Sequence, residues 1–156
     1  MEVVECELAR VLINDRSDQQ IIVLREKGGA RSFPIMVGIF EALALDRKLK
    51  NRRMPRPLTH DLVENVLREL GGTLRRVTVS DLRENTFFAV LEISVDGRTV
   101  CVDARPSDGI VLAVSAGVPI FVAKGVLDEA AVQSGDSFGI DEGPAPFSAP
   151  EEPEEE

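Results

Sequence analysis

The sequence predicts an α+β fold: a mostly antiparallel sheet with three to four helices packed on it, in a single compact domain followed by a disordered acidic tail. Three observations carry that expectation. The element signals run strands, helices, strands, helix, strand, helix across 156 residues. Glu84-Asn85 and the strong hairpin signal Asp96-Gly97 join successive strands by tight turns. From about Gly135 the composition shifts to Gly, Pro, Ser and acid, with too little apolar surface to order itself, so the domain is set at 1–134 and the tail at 135–156.

The elements follow in order. Residues 2–13 alternate, with Val4, Cys6 and Leu8 on one face against Glu5 and Glu7, and end apolar at Val11, Leu12 and Ile13. A turn cluster spans 14–18. Residues 20–25 and 31–36 form two further strands around the Lys27-Gly28-Gly29 turn. After Gly38, residues 39–50 place Phe40, Leu43, Leu45 and Leu49 at helical spacing. Pro55 and Pro57 bracket a loop. Thr59 is a good N-cap, Asp61 complements the helix dipole, and the stripe Leu62, Val63, Val66, Leu67 and Leu70 ends at Gly71-Gly72. Residues 73–82, 86–95 and 98–103 read as three strands. Phe87 and Phe88 face opposite sides of theirs, so one of them belongs to the core. Ser107 caps a helix through Ile110 and Val114, closed by Ala116-Gly117. Residues 119–123 form a short buried strand, and 127–132 a brief helix.

Composition narrows the function classes. Hydrophobic content of 44% and charged content of 29% fit a soluble globular chain. No apolar run is long enough to span a bilayer, and Met1-Glu2-Val3-Val4-Glu5 has no basic start, so neither a membrane protein nor a signal peptide is expected. Cys6 and Cys101 match no metal or redox spacing and read as reduced thiols of a cytoplasmic protein. Net charge is -9, but residues 139–156 hold seven acids and no base. Taking those from 27 leaves 20 acids against 18 bases, so the body is near -2 and local patches govern its field. Arg47, Lys48, Lys50, Arg52, Arg53 and Arg56 form one such patch, either a solvated face or an anion seat. With no Trp, no Tyr and seven Phe mostly at core-like positions, base stacking is not expected to drive binding.

Two segments share one pattern: Arg56-Pro57-Leu58-Thr59-His60-Asp61 and Asp103-Ala104-Arg105-Pro106-Ser107-Asp108. Each opens a helix, where free N–H groups and partial positive charge favour anions. A purely structural reading accounts for much of this, with hydroxyls capping, acids facing the dipole, and arginines paired to carboxylates. The functional reading needs the two helix starts to converge. Asp61, Asp103 and Asp108 would then hold Mg²⁺ or Mn²⁺ through oxygen. Arg56, Arg105 and Ser107 would bind phosphate, and Arg52 and Arg53 would steer the backbone. His60, the lone histidine, would donate a proton to a leaving oxygen. These are the groups that phosphodiester hydrolysis uses. Glu41 is either a further ligand or an exposed helix residue. No Gly-x-Ser-x-Gly, Walker loop or His-Glu-x-x-His is present.

Five ordered blocks now carry a resemblance. Phe33-Pro34-Ile35-Met36-Val37-Gly38 with Glu41-Ala42, the two Arg-Pro blocks, Thr86-Phe87-Phe88-Ala89 and Pro119-Ile120-Phe121-Val122 together resemble the bifunctional nuclease (BFN-domain) family over about 3–133. The resemblance implies a compact α+β domain with DNase and RNase activity. It departs at Gly109, where Ala is usual, and at Met36-Val37, where Trp-Ile is more usual. The combined expectation is a low-specificity, metal-assisted nuclease. Its rivals are a non-catalytic phosphate-ligand or nucleic-acid binding and regulatory module, and a structural ion network within an oligomer. The apolar opening strand hints at a homodimer. The acidic tail would compete with nucleic acid for residues 47–56.

Overall fold

The computed structural model describes residues 1–14 and 16–133. The expected tail, and Asp15 of the first turn, lie outside the described residues. Within them the chain forms eight strands and four helices: β1 (Val3–Leu12), β2 (Gln19–Glu26), β3 (Arg31–Gly38), α1 (Ile39–Leu49), α2 (Thr59–Glu69), β4 (Gly72–Arg83), β5 (Thr86–Val95), β6 (Arg98–Ala104), α3 (Pro106–Ala116), β7 (Ile120–Ala123), α4 (Lys124–Ala130) and β8 (Val132–Gln133).

All strands join one sheet in the order β6-β5-β4-β7-β1-β2-β3-β8. It consists of two antiparallel meanders, β1-β2-β3 and β4-β5-β6, stitched together by β7. That strand runs antiparallel to β1 and parallel to β4, the single parallel pairing among the described strands. The fold is thus the mostly antiparallel α+β arrangement. The opening strand β1 has a neighbour on each side, so it offers no free edge for a second subunit, contrary to the hint in its composition.

The turns are chemically legible. Glu84 and Asn85 both take positive φ, as do Asp96 and Gly97, which is the backbone that two-residue hairpins with right-handed twist require. The register of β1 slips between Leu8 and Arg10, so its inward face changes parity there. This is why the simple alternation at Val4, Cys6 and Leu8 gives way to Val11.

The core is continuous across the sheet and helices. Ile22, Leu24, Phe33, Leu45, Val77, Val79, Ile110, Val111, Val122 and Leu127 are fully or almost fully buried. Phe87 packs on Phe33 with ring centroids 5.5 Å apart, whereas Phe88 lies beneath the Arg83 guanidinium, so one of the pair is indeed core. Cys6 is buried and its thiol is pushed up to about 11, chiefly by desolvation and then by Glu26. Cys101 is exposed because β6 is an edge strand; both cysteines are free.

Helix α3 is the central helix. Pro106 occupies its first turn, Gly117 closes it in the left-handed conformation, and seven of its eleven residues are buried. A Cβ on Gly109 would stand 2.8 Å from Val77 Cγ1, so glycine is what lets α3 approach β4 so closely. Helix α4 begins at Lys124, three residues before the sequence signal, and β8 follows it unannounced. No helix among the described residues is long and apolar enough to cross a membrane.

Candidate active site

The two Arg-Pro segments do converge. Helices α2 and α3 pack against each other, which brings their N-terminal turns together. His60 Nε2 lies 2.9 Å from Asp108 Oδ1. Arg105 donates through Nε to Asp108 Oδ2 at 2.9 Å and through Nη2 to Glu41 Oε1 at 2.8 Å. The two carboxylates hold the Arg105 proton more firmly than in a free guanidinium, with Glu41 the larger influence. A cleft of about 950 Å³ opens here, lined at its polar end by Glu41, His60, Asp103, Arg105 and Asp108. Its remaining walls include Phe40, Leu43, Leu62 and Val63, over a floor of Leu91 and Leu112.

The capping expected from the sequence is not what these helices use. Leu58 is the N-cap of α2 and Arg105 that of α3, so Thr59 and Ser107 sit inside the helices and neither side chain caps. Asp61 supplies the cap instead: its Oδ2 accepts the Leu58 N–H at 2.9 Å. Its other oxygen takes the Lys48 ammonium. Both bonds favour the ionised form, so the Asp61 carboxyl is held below its ordinary range, Lys48 being the main cause.

Asp61 consequently faces a different space. It lines a second cleft of about 650 Å³, together with Arg47, Lys48, Arg52, Arg53, Arg68 and Glu64. Five bases against two acids make that cleft basic. It shares Arg47, Pro57, Leu58 and His60 with the first, so His60 stands on the wall between the two.

The candidate residues therefore divide. His60, Asp103, Arg105 and Asp108 share one cleft; Asp61, Arg52 and Arg53 line its neighbour. Ser107 is 6% exposed and lines neither, because the second helical position of α3 turns it into the core. Arg56 is exposed on the loop before α2 and also lines neither. Glu41 gains a definite place as the partner of Arg105. Its signal in the sequence was its position just after the strand-ending Gly38, at a helix start. Lys48 and Arg47 gave no individual signal beyond the basic run.

The donor set has a plain consequence for metals. Asp61 is committed to Lys48 in the neighbouring cleft, while Asp108 and Glu41 already serve Arg105. Among the described residues no group of three or more His, Cys, Asp or Glu is arranged to hold an ion. Asp103 is the cleft carboxylate without a side-chain partner among the described residues. The expected ligand trio of Asp61, Asp103 and Asp108 is thus divided between the two clefts rather than gathered in one.

Fold and clefts together define a small α+β domain whose charged, histidine-bearing cleft adjoins a basic one. The chain belongs to the bifunctional nuclease domain family, whose model matches residues 22–135. It is 38% identical over 126 residues to an uncharacterised protein of Mycobacterium tuberculosis, covering 81% of this chain and 75% of that one. It is 30% identical over 118 residues to bifunctional nuclease 1 of Oryza sativa subsp. japonica, and 33% identical over 107 residues to bifunctional nuclease 2 of Arabidopsis thaliana. Those matches cover 72% and 67% of this chain but only 36% and 32% of the plant proteins.

Proposed function

We propose that this chain is a nuclease of low specificity, a hydrolase cleaving phosphodiester bonds of DNA, RNA or both, and that it works in the cytoplasm. One observation carries the reading: a histidine oriented by a carboxylate, with an arginine fork bound to the same carboxylate, lining a cleft. The names of the plant relatives support it, as does the basic cleft alongside.

The chemistry follows from the proton positions. Asp108 accepts from His60 Nε2–H, which fixes the tautomer and leaves the Nδ1 lone pair free. That nitrogen takes the proton from the attacking water or hydroxyl as the new P–O bond forms. It returns the proton to the departing oxygen, so the broken P–O bond releases an alcohol. Arg105 keeps its Nη1 donors for the phosphate oxygens. Its side chain is 65% exposed, within reach of a bound strand. Arg52 and Arg53 guide the neighbouring phosphates electrostatically.

Charge sets a further condition. Glu41, Asp103 and Asp108 outnumber Arg47 and Arg105 in the first cleft, so with His60 neutral it carries one excess negative charge. A phosphate entering there needs a counter-charge. Mg²⁺ or Mn²⁺ fits as an ion arriving with the phosphate, with Asp103 the carboxylate open to it; such an ion supplies charge neutralisation. The steps above do not depend on it.

The deciding experiment uses end-labelled DNA and RNA oligonucleotides with wild type, His60→Ala and Asp108→Ala purified in parallel. Cleavage that both variants lose supports the enzyme, and its sensitivity to EDTA reports on the cation. Equal cleavage by all three preparations marks a contaminant. Oligonucleotide binding without cleavage supports the binding-module reading instead.

A further inference from the structure

We propose that Phe40 is a stacking platform for a nucleobase, and that the chain therefore takes single-stranded rather than duplex nucleic acid. The inference rests on the nucleic-acid reading above and adds the form of the strand.

Phe40 lies in the first turn of α1, beside the Glu41 that holds Arg105. It is 80% exposed and lines the 950 Å³ cleft. The other described phenylalanines are spoken for: Phe33 and Phe87 face each other, Phe88 lies under Arg83, and Phe121 lies under Arg76. Exposing a large aromatic has no folding benefit. A bare aromatic at the edge of a charged cleft is what base stacking requires, because every base presents a π-face.

The size and layout of the clefts point the same way. A phosphate group alone does not need a space at the upper end of the usual ligand-pocket range, about 300–1,000 Å³. Apolar walls at Leu43, Leu62 and Val63 suit bases, and the basic cleft beyond His60 suits phosphates. Arg47, Pro57, Leu58 and His60 belong to both, so a strand whose reacting phosphate sits at His60 can lay a base on the apolar wall of the first cleft and its flanking phosphates in the second. A duplex keeps its bases stacked inside and reaches the apolar walls only by extruding one.

The test compares four labelled probes of one length: single-stranded DNA, single-stranded RNA, a DNA duplex, and an abasic strand with the same phosphates. Binding is measured under one salt condition with wild type, Phe40→Ala and Phe40→Tyr. The expected result is that either single strand binds more tightly than the duplex and the abasic strand. Phe40→Ala loses about tenfold or more in affinity for the single strands, and Phe40→Tyr restores it. Equal binding of the abasic strand, or no loss in Phe40→Ala, overturns the stacking role while leaving the nuclease reading intact. No binding of any probe overturns both. Sedimentation of the same variants covers the other occupant of an apolar surface. If Phe40→Ala turns a dimer into a monomer and leaves strand affinity unchanged, the ring packs on a second copy and the proposal fails.

Discussion

His60 and Asp108, forty-eight positions apart, meet at 2.9 Å between the first turns of two different helices. The contact depends on the α2–α3 packing, so it reports on tertiary structure and on site chemistry at once. Replacing Asp108 with Asn keeps the shape but leaves one acceptor oxygen where His60 and Arg105 each use one, so the amide NH₂ must face one of them and the imidazole tautomer is no longer fixed. The expected outcome is a fall in kcat of about 10²–10⁴-fold, with stability changed by less than about 1 kcal/mol because the pair is partly solvated. Steady-state cleavage assays and urea melts of Asp108→Asn check both halves.

In the proposed mechanism Arg105 separates phosphate binding from the proton chemistry of His60. Lysine keeps the charge but cannot reach Glu41 and Asp108 while also offering a planar fork to phosphate. Arg105→Lys is expected to raise KM by roughly tenfold, within the ~1.5–3 kcal/mol carried by charged hydrogen bonds, with kcat affected less. A kcat loss as large as that of Asp108→Asn, at unchanged KM, would move Arg105 from substrate binding to orienting Asp108.

The fold was legible in the sequence because its signals are local. Asp96-Gly97 announced a hairpin, and Val4, Cys6 and Leu8 alternated with Glu5 and Glu7 as a half-buried strand does. The convergence of the two Arg-Pro blocks was a condition of the functional reading rather than something their spacing encodes; the packing of α2 on α3 supplies it. The division of labour within them was not legible either. Whether Asp61 faces Asp108 or Lys48 depends on how α1 lies across α2, and no residue spacing encodes that. Ser107 reads as a cap until Pro106 proves to be the first helical residue, which shifts Ser107 one step inward and buries it. Phe40 belongs by spacing to the apolar stripe of α1, yet Ala42, Ala44 and Leu45 form its buried side and leave Phe40 outside.

Asp61 gives the acid limb of the stability curve a specific source. Its folded-state pKa is depressed, by Lys48 first and the Leu58 N–H second. A depressed carboxylate contributes fully above its unfolded value, near 3.8, and loses that contribution as pH falls through the lower folded value. Asp61→Asn is expected to be about 1 kcal/mol less stable than wild type near neutrality. The gap should close in strong acid. Urea melts near pH 7 and well below 3.8 measure it; a gap that persists in acid would assign the loss to packing instead.

The seven acids within residues 139–156 make a charge prediction. Deleting that segment should tighten oligonucleotide binding at low salt, with the difference shrinking as ionic strength rises and the Debye length falls below ~10 Å. Titrations of both forms across a salt series test this. Parallel affinities at every salt concentration would show that the tail does not compete for the Arg47–Arg56 stretch.

Gly109 sets helix propensity against packing. Alanine is the better helix former by about 0.8–1 kcal/mol, and at an exposed helical site Gly→Ala would stabilise. Here the new Cβ would lie 2.8 Å from Val77 Cγ1 and 3.5 Å from Leu91 Cδ2. Val77 is fully buried and branched at Cβ, so its methyl cannot swing aside without disturbing the β4–α3 contact. Overpacking of this kind costs about 1–3 kcal/mol, which exceeds the propensity gain. Gly109→Ala is therefore expected to lower stability. It should also lower activity, because α3 carries Arg105 at its N-cap and Asp108 in its first turn, and a helix pushed off the sheet moves both relative to His60. Combining Gly109→Ala with Val77→Ala removes the obstructing methyl and should recover part of the activity, even though the smaller core residue lowers stability on its own. Urea midpoints and cleavage rates for the two single variants and the double variant give the coupling directly. Simple additivity of the two substitutions would mean that the close approach of α3 to β4 is not what positions the cleft.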